Sequence, residues 1–384
     1  MPEYLSSIGG LQVCVHNICK LHAQGGSEVT VLTSDSSAEI IQTPYAIRKI
    51  PALKFLTKGY PISKYLVSCY FGRIQEKCRF DLYQIDGGFP YGVLLVDFFN
   101  KNGIPSILRC SGDDIQINEE YDYGVRRNNK IDKLIREKYH KFDAAVAITE
   151  TVKEEYLSIG IPKKKIRIIP NGIDYNRIRN FKVKRNIKEF HKIPANAQVI
   201  LTVGRNHPKK GYAFIPKILN NLLKERKDIY WIVIGKGSRS MNGTDALGSK
   251  RGHLILINEL ALNNYDDEVP SDLLINYYRQ ADVFAMTSLL ETFGVVLLEA
   301  MASGLPIVYF NVPGVRDVMS PECGMAHQAG NCSAFSGSLL EILDDERKLS
   351  YFRMNCFQHA ERFSWEKVAA DYLSLYQEVT SLIP

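Results

Sequence analysis

Two glutamates eight residues apart carry the most chemical information in this sequence. They lie in Ser288 to Val308, SLLETFGVVLLEAMASGLPIV. Glu291 stands just before a turn at Gly294, and the run from Val295 to Ser303 is predicted to be helical. Gly304-Leu305-Pro306 ends that helix and begins a buried strand. Glu299 sits one turn beyond Val295, so its side chain is directed back toward the helix start. The free backbone N–H groups at Gly294 and Val295, with the helix dipole behind them, suit a diphosphate. A carboxylate beside such a site accepts hydrogen bonds from sugar hydroxyls. On charge alone, a capped helix with two solvated glutamates would be the simpler reading. The ordered string of Glu, Phe-Gly, Glu-Ala-Met, Gly and Pro argues against it.

A second group supplies the positive charge. Thr202-Val203-Gly204-Arg205 ends a strand, and His207-Pro208-Lys209-Lys210-Gly211 continues the loop. Loops at the carboxyl ends of parallel strands are where ligands bind in open α/β sheets. Arg205 offers a planar fork to phosphate oxygens and Lys210 a point charge. A third, weaker feature is Ser7-Ile8-Gly9-Gly10, whose glycines let backbone approach a phosphate ahead of the first helix. Ile168-Ile169-Pro170-Asn171-Gly172-Ile173-Asp174 reads first as a structural turn leaving a strand.

The elements that must position these groups follow a β-α-β rhythm. Strands are predicted over residues 28–33, 81–85, 106–110, 144–149 and 166–170. Leu11, Cys14, Val15, Ile18 and His22 mark an amphipathic helix. The rhythm restarts at 199–203, with a helix over about 212–226 and strands at 230–234, 283–286 and 306–309. The expected fold is therefore α/β with two Rossmann-like, doubly wound domains. The first covers residues 1–178, with the C-terminal helix 365–384 packing back on it, and the second covers 179–364.

Composition sets the outer limits. The 384 residues are 45% apolar and 23% charged, which excludes disordered, collagen-like and disulfide-stapled classes. A net charge of +6 over this length does not mark a nucleic-acid binder. The eight cysteines contain no Cys-x-x-Cys pair, so reduced thiols in the cytoplasm are expected. No apolar run reaches the ~20 residues of a membrane span. A basic run from Val125 to Lys141 is either a solvated helix face or a peripheral contact with an anionic membrane at its inner face.

Taken together, these motifs resemble the group 1 glycosyltransferases, glycosyltransferase family 4, which have the GT-B fold. The likeness runs along essentially the whole chain. It is carried by Glu291 and Glu299, Gly204-Arg205, Lys210-Gly211, Gly9-Gly10, Asn171 to Asp174 and the late Trp365. The resemblance implies a retaining hexosyltransferase that moves a sugar from a nucleotide-sugar donor, UDP-linked before GDP-linked, to a glycan or lipid-linked acceptor. It further implies polysaccharide or glycolipid synthesis at the cell surface, with no bound metal or other cofactor. Arg205 and Lys210 would stabilise the departing diphosphate and Glu291 would contact the donor sugar. Phe293, Gly294 and Val295 would contact that sugar through their amides, and Glu299 would hold the ribose. Gly9 and Gly10 would approach the phosphates.

Two departures accompany the resemblance. Where the family has histidines, this chain has Ser111 and Asp86. Asp113-Asp114 is a poor metal site, because one adjacent acidic pair lacks converging ligands. The chain also opens directly on the glycine loop, so the first domain is expected to lack its N-terminal strand. The strands near 28–33 and 81–85 should then lie a strand's width apart. These departures support an alternative reading, a catalytically impaired GT-B-like binding or partner protein. A nicotinamide-dependent oxidoreductase is excluded, since no Gly-x-Gly-x-x-Gly follows a strand.

Overall fold

The computed structural model describes residues 10–34, 43–51, 60–258, 260 and 269–381. Gly9, with Ser7 and Ile8, lies outside the described residues. The chain divides into two compact units, one of residues 1–171 with 365–384 and one of residues 172–364.

The second unit is built on six parallel strands. These are β7 (Gln198–Val203), β8 (Ile229–Ile234), β9 (Leu254–Ile257), β10 (Val283–Met286), β11 (Ile307–Phe310) and β12 (Gly324–His327). Their order across the sheet is β12-β11-β10-β7-β8-β9. The chain builds outward from β7 to β9, returns to β10 on the other side of β7, and builds outward again. The winding therefore reverses between β7 and β10, where open α/β sheets bind ligands at the strands' carboxyl ends. The strands read as unbroken apolar runs because helices cover both faces, and residues 283–286 and 307–310 are all buried. One polar tie crosses the switch point. Thr202 Oγ1 donates to the Ala285 carbonyl at 2.7 Å and accepts from Trp231 Nε1 at 3.0 Å.

The first unit has two parallel sheets. One pairs β1 (Thr30–Thr33) with β2 (Ala46–Lys49). The other has the order β3 (Tyr83–Asp86), β4 (Ser106–Arg109), β5 (Ala144–Ala147), β6 (Ile166–Ile168). Among the described residues β1 pairs with β2 and β3 with β4, in two separate sheets; the expectation about an N-terminal strand concerns residues 1–9, outside the described residues. The helix Gly10–Gln24 packs Cys14 and Ile18 against Ile107, Val146 and Tyr372. It packs Val15 against Val31 and Tyr45. The C-terminal helix Trp365–Ser381 lies on this unit through Val368, Tyr372 and Leu375. His22 Nε2 is 2.8 Å from the Ala369 carbonyl.

Three short strands, β2, β9 and β12, were absent from the sequence expectation. Each has four residues, β9 and β12 end the six-stranded sheet, and β2 has mostly exposed residues. Such edges carry little periodic signal. The 28–33 strand starts two residues later than expected, at Thr30, and the 212–226 helix opens with a 3-10 turn at Tyr212–Phe214.

The basic run is corrected in one respect. Asp132 and Glu137 lie within the run, and acids outside it oppose it as well. Arg126 is buried and bonds Asp132 and Glu155, and Arg127 pairs with Glu119 and Asp122. Lys138 and Lys141 converge on Asp97, whose carboxyl is held well below the usual range by these cations and Lys64, against the opposing effect of burial. All eight cysteines are free thiols, and no cluster of metal-ligating side chains occurs among the described residues. No helix among them is long and apolar enough to cross a membrane.

Candidate active site

The loops after β7 and β10 bring the cations and the glutamates together. Gly204 ends β7, and its carbonyl accepts from Tyr212 Oη at 2.6 Å. Gly211 adopts a left-handed conformation, φ +63°, and a Cβ there would stand 2.0 Å from the Thr287 carbonyl oxygen. Only glycine lets the two loops approach this closely. The contact is fastened by Thr287 Oγ1, which donates to the Lys210 carbonyl at 2.9 Å, and by the Leu289 N–H, which donates to the Lys209 carbonyl at 2.7 Å.

Lys210 forms an ion pair with Glu291. Glu291 also accepts from Ser288 Oγ at 2.9 Å, and its side chain is only 8% exposed. Arg205 stands exposed in the same loop. The local field is positive: His207 is held below its ordinary pKa by partial burial and by Lys209, Arg205 and Lys210. Gly314, at φ +80°, packs against the Glu291 carbonyl, where a Cβ would stand at 2.3 Å. The Glu291 backbone is thereby fixed from a third loop.

The helix Val295–Ala302 begins at Gly294 in a left-handed conformation, with no side-chain cap. Its first N–H groups are therefore available to an anion. The Phe293 ring is buried, edge-on to the Phe363 ring at 6.3 Å between centroids. Glu299 is buried, 5% exposed, and Tyr278 Oη donates to it at 2.7 Å. Burial pushes the Glu299 carboxyl up to about 7, opposed by the Tyr278 hydrogen bond and by Arg177. Neither glutamate is a solvated cap, which removes the simpler reading of the motif.

Arg205, Lys210, Glu291, Phe293, Gly294, Val295 and Glu299 thus all lie in the second unit, on the loops and helix at the β7–β10 switch point. Gly10 is the exposed first residue of its helix in the other unit. Sequence reasoning missed Ser288 and Tyr278. Ser288 could have been found three residues before Glu291; Tyr278 lies 21 residues from Glu299 with no local signal. Asn171 to Asp174 is structural, as expected. Asn171 Oδ1 accepts from buried Arg109 at 2.6 Å, and Asp174 caps the helix Tyr175–Arg179. The Ser111 N–H and that of Gly112 donate to the buried carboxyl of Asp114 at 3.0 and 2.8 Å, so Asp114 organises a turn.

Comparison with known proteins bears on the family and the fold. Residues 8–177 match the family model "Glycosyltransferase Family 4" and residues 183–359 match "Glycosyl transferases group 1". A D-inositol 3-phosphate glycosyltransferase of Thermobispora bispora is 28% identical over 243 residues, 62% of this chain and 56% of that protein. The chain spans little more than half the length of the curated relatives it matches. Among solved structures, a glycosyltransferase from Rickettsia africae aligns with a TM-score of 0.78 at 16% identity, covering 98% of this chain and 97% of that one. Anabaena HepE, solved in complex with UDP-glucose, aligns with a TM-score of 0.72 at 18% identity, covering 97% and 98%. With matching models over both halves and the GT-B architecture throughout, the chain belongs to the group 1 glycosyltransferases.

Proposed function

We propose that the protein is a retaining hexosyltransferase. It transfers a sugar from a nucleotide-sugar donor, a UDP-sugar before a GDP-sugar, to a glycan or lipid-linked acceptor in cell-surface polysaccharide or glycolipid synthesis. The observation that carries this reading is the pairing of a cationic loop, Arg205 and Lys210, with Glu291 and an uncapped helix start at one sheet switch point. UDP-glucose in the HepE structure supports a UDP-linked donor.

The chemistry follows from charge. Breaking the bond between the sugar's anomeric carbon and the phosphate oxygen leaves positive charge on the sugar and negative charge on the diphosphate. Arg205 and Lys210 stabilise the diphosphate, and the N–H groups of Gly294 and Val295 orient its sugar end. With no donor bound, Lys210 is neutralised by Glu291. An arriving diphosphate competes for that ammonium and frees Glu291 to accept from sugar hydroxyls. Glu299, held by Tyr278, accepts from the ribose. Side-chain cations supply the charge stabilisation, so the reaction proceeds without a bound metal or other cofactor. We place the reaction on the cytoplasmic side, with peripheral membrane contact supported by Ile62, Tyr65 and Leu66, which are 67%, 69% and 50% exposed.

A thermal-shift series against UDP, GDP, ADP and their sugars tests the donor site. A ligand at 100 times its dissociation constant adds about 2.7 kcal/mol. Absence of a shift with every nucleotide would defeat the proposal. The alternative, a binding protein without turnover, draws on Ser111, which cannot hold a charge, and on Asp86, whose carboxylate is tied to Arg109. Nucleotide binding without donor hydrolysis or transfer would establish it.

A further inference from the structure

The carboxyl end of the helix Val295–Ala302 gathers three arginines from three other helices. All lie in the unit of residues 172–364. Arg279, on the helix Asp272–Gln280, donates from Nη1 to the Ser303 carbonyl at 3.2 Å. Arg353, on the helix Glu346–Glu361, donates from Nε to the next carbonyl, that of Gly304, at 3.3 Å. Gly304 holds φ +76°, and a Cβ there would press on the Phe357 ring. Phe357 is one helical turn beyond Arg353 and shares its face. Its ring carries the third cation, Arg179, whose Cζ stands 3.7 Å from the ring centroid.

Part of this arrangement is ordinary capping. Cations beside the last carbonyls of a helix satisfy orphan acceptors and complement the dipole. The charge does not balance. A helix end offers about half a negative charge, against three full positive ones. Among the described residues none of the three arginines forms an ion pair. Asp282 feels Arg353, but its carboxylate accepts from the Val199 N–H at 2.7 Å. Burial, then Arg179 and Arg353, hold the Arg279 guanidinium below its ordinary pKa. Donors are also left over. Ser303 is 6% exposed, and its Oγ is buried with no hydrogen-bond partner, as is Arg279 Nε. A guanidinium has five N–H groups. Arg279 and Arg353 each place one on a carbonyl, and exposed Arg179 has its face on a ring.

We propose that these three guanidiniums form a second anion site, which takes a phosphate-class oxyanion. Guanidinium forks match the oxygens of a phosphate group, and a tetrahedral anion accepts from several forks at once. Its charge offsets what the helix end leaves uncompensated. The site is separate from the donor loop. The helix Val295–Ala302 runs back from the carboxyl edge of the sheet, where Arg205 and Lys210 lie, and its eight residues span about 12 Å. One phosphate group cannot serve both ends. This inference does not depend on glycosyl transfer.

The test titrates inorganic phosphate into the full chain by calorimetry, with ionic strength held constant by sodium chloride. It uses the Arg205→Ala background, which takes a fork out of the donor loop. Saturable binding is expected there. Arg179→Gln and Arg353→Gln, both at exposed positions, should each weaken it by about tenfold or more. A second readout uses the wild type. Phenylglyoxal condenses with accessible guanidiniums, and peptide mass spectrometry reports which ones. Saturating phosphate should slow labelling of Arg179 and Arg353 severalfold and leave Arg73, exposed in the other unit, unchanged. No saturable binding, or binding unchanged in both glutamine variants, would overturn the proposal. So would labelling of Arg179 and Arg353 that phosphate leaves unchanged or slows no more than that of Arg73.

Discussion

Glu299→Gln offers the sharpest check on how the site is built. Glu299 is enclosed in the second unit, and burial holds its carboxyl near 7, against the 4.5 of an ordinary glutamate. Between those two values the folded chain keeps a proton that the unfolded chain has released. Ionisation then favours unfolding, and stability falls as pH rises through this window. It is flat below the window, where both forms are protonated, and flat above it, where both are ionised. At about 1.4 kcal/mol per pH unit, the full loss is about 3 kcal/mol. Glutamine keeps an acceptor for Tyr278 Oη but carries no titrating proton. Relative to the wild type, the Glu299→Gln variant should therefore gain about 3 kcal/mol between about pH 4 and pH 8. Urea unfolding across this range measures it. Trp365→Phe leaves Trp231, one of the two tryptophans, as a reporter within residues 172–364. Tyr278→Phe removes a bond that favours the ionised form and should extend the loss to higher pH. A stability difference between the wild type and the Glu299→Gln variant that does not change with pH would refute the enclosed-carboxylate account.

Other outcomes follow from the same geometry. Arg205→Ala and Lys210→Ala should each lower turnover by about 10²–10³, the effect of losing one donor to a developing anion, about 2.7–4 kcal/mol; near-normal turnover in both would remove them from the site. Lys210→Ala should also destabilise the second unit, because it strands a mostly buried Glu291, and Lys210→Ala with Glu291→Gln should recover stability but not activity, as seen by thermal unfolding beside a donor-hydrolysis assay. Gly211→Ala should cost about 2 kcal/mol or more and turnover with it, since its Cβ would press on the Thr287 carbonyl and part the two loops. Ile62→Asp with Leu66→Asp should reduce flotation with anionic vesicles severalfold if these exposed side chains enter the lipid; unchanged flotation would count against that surface.

Much of the residue pattern at the β7–β10 switch point is legible in the sequence. Glycine at positions 204, 211 and 294, a lysine and an arginine after one strand, and two glutamates around a helix start form a local pattern. Local patterns follow from backbone rules that act over a few residues. The two parallel α/β units were readable for the same reason, because apolar strands and amphipathic helices alternate along the chain. Four-residue edge strands such as Leu254–Ile257 were not, since an edge has half the neighbours that shape a sequence.

The sequence by itself determined which residue types stand at the switch point and that each unit is a wound sheet. Only the tertiary structure decided their electrical state. Lys210 and Glu291 are 81 positions apart and became a pair because β7 and β10 lie side by side. Glu299 became a high-pKa acid because Tyr278 and the surrounding core enclose it. The basic run from Val125 to Lys141 was largely neutralised by Asp97, Glu119, Asp122 and Glu155. Charge, burial and hydrogen bonding depend on what lies within a few ångströms, and folding brings together neighbours that the linear order keeps apart.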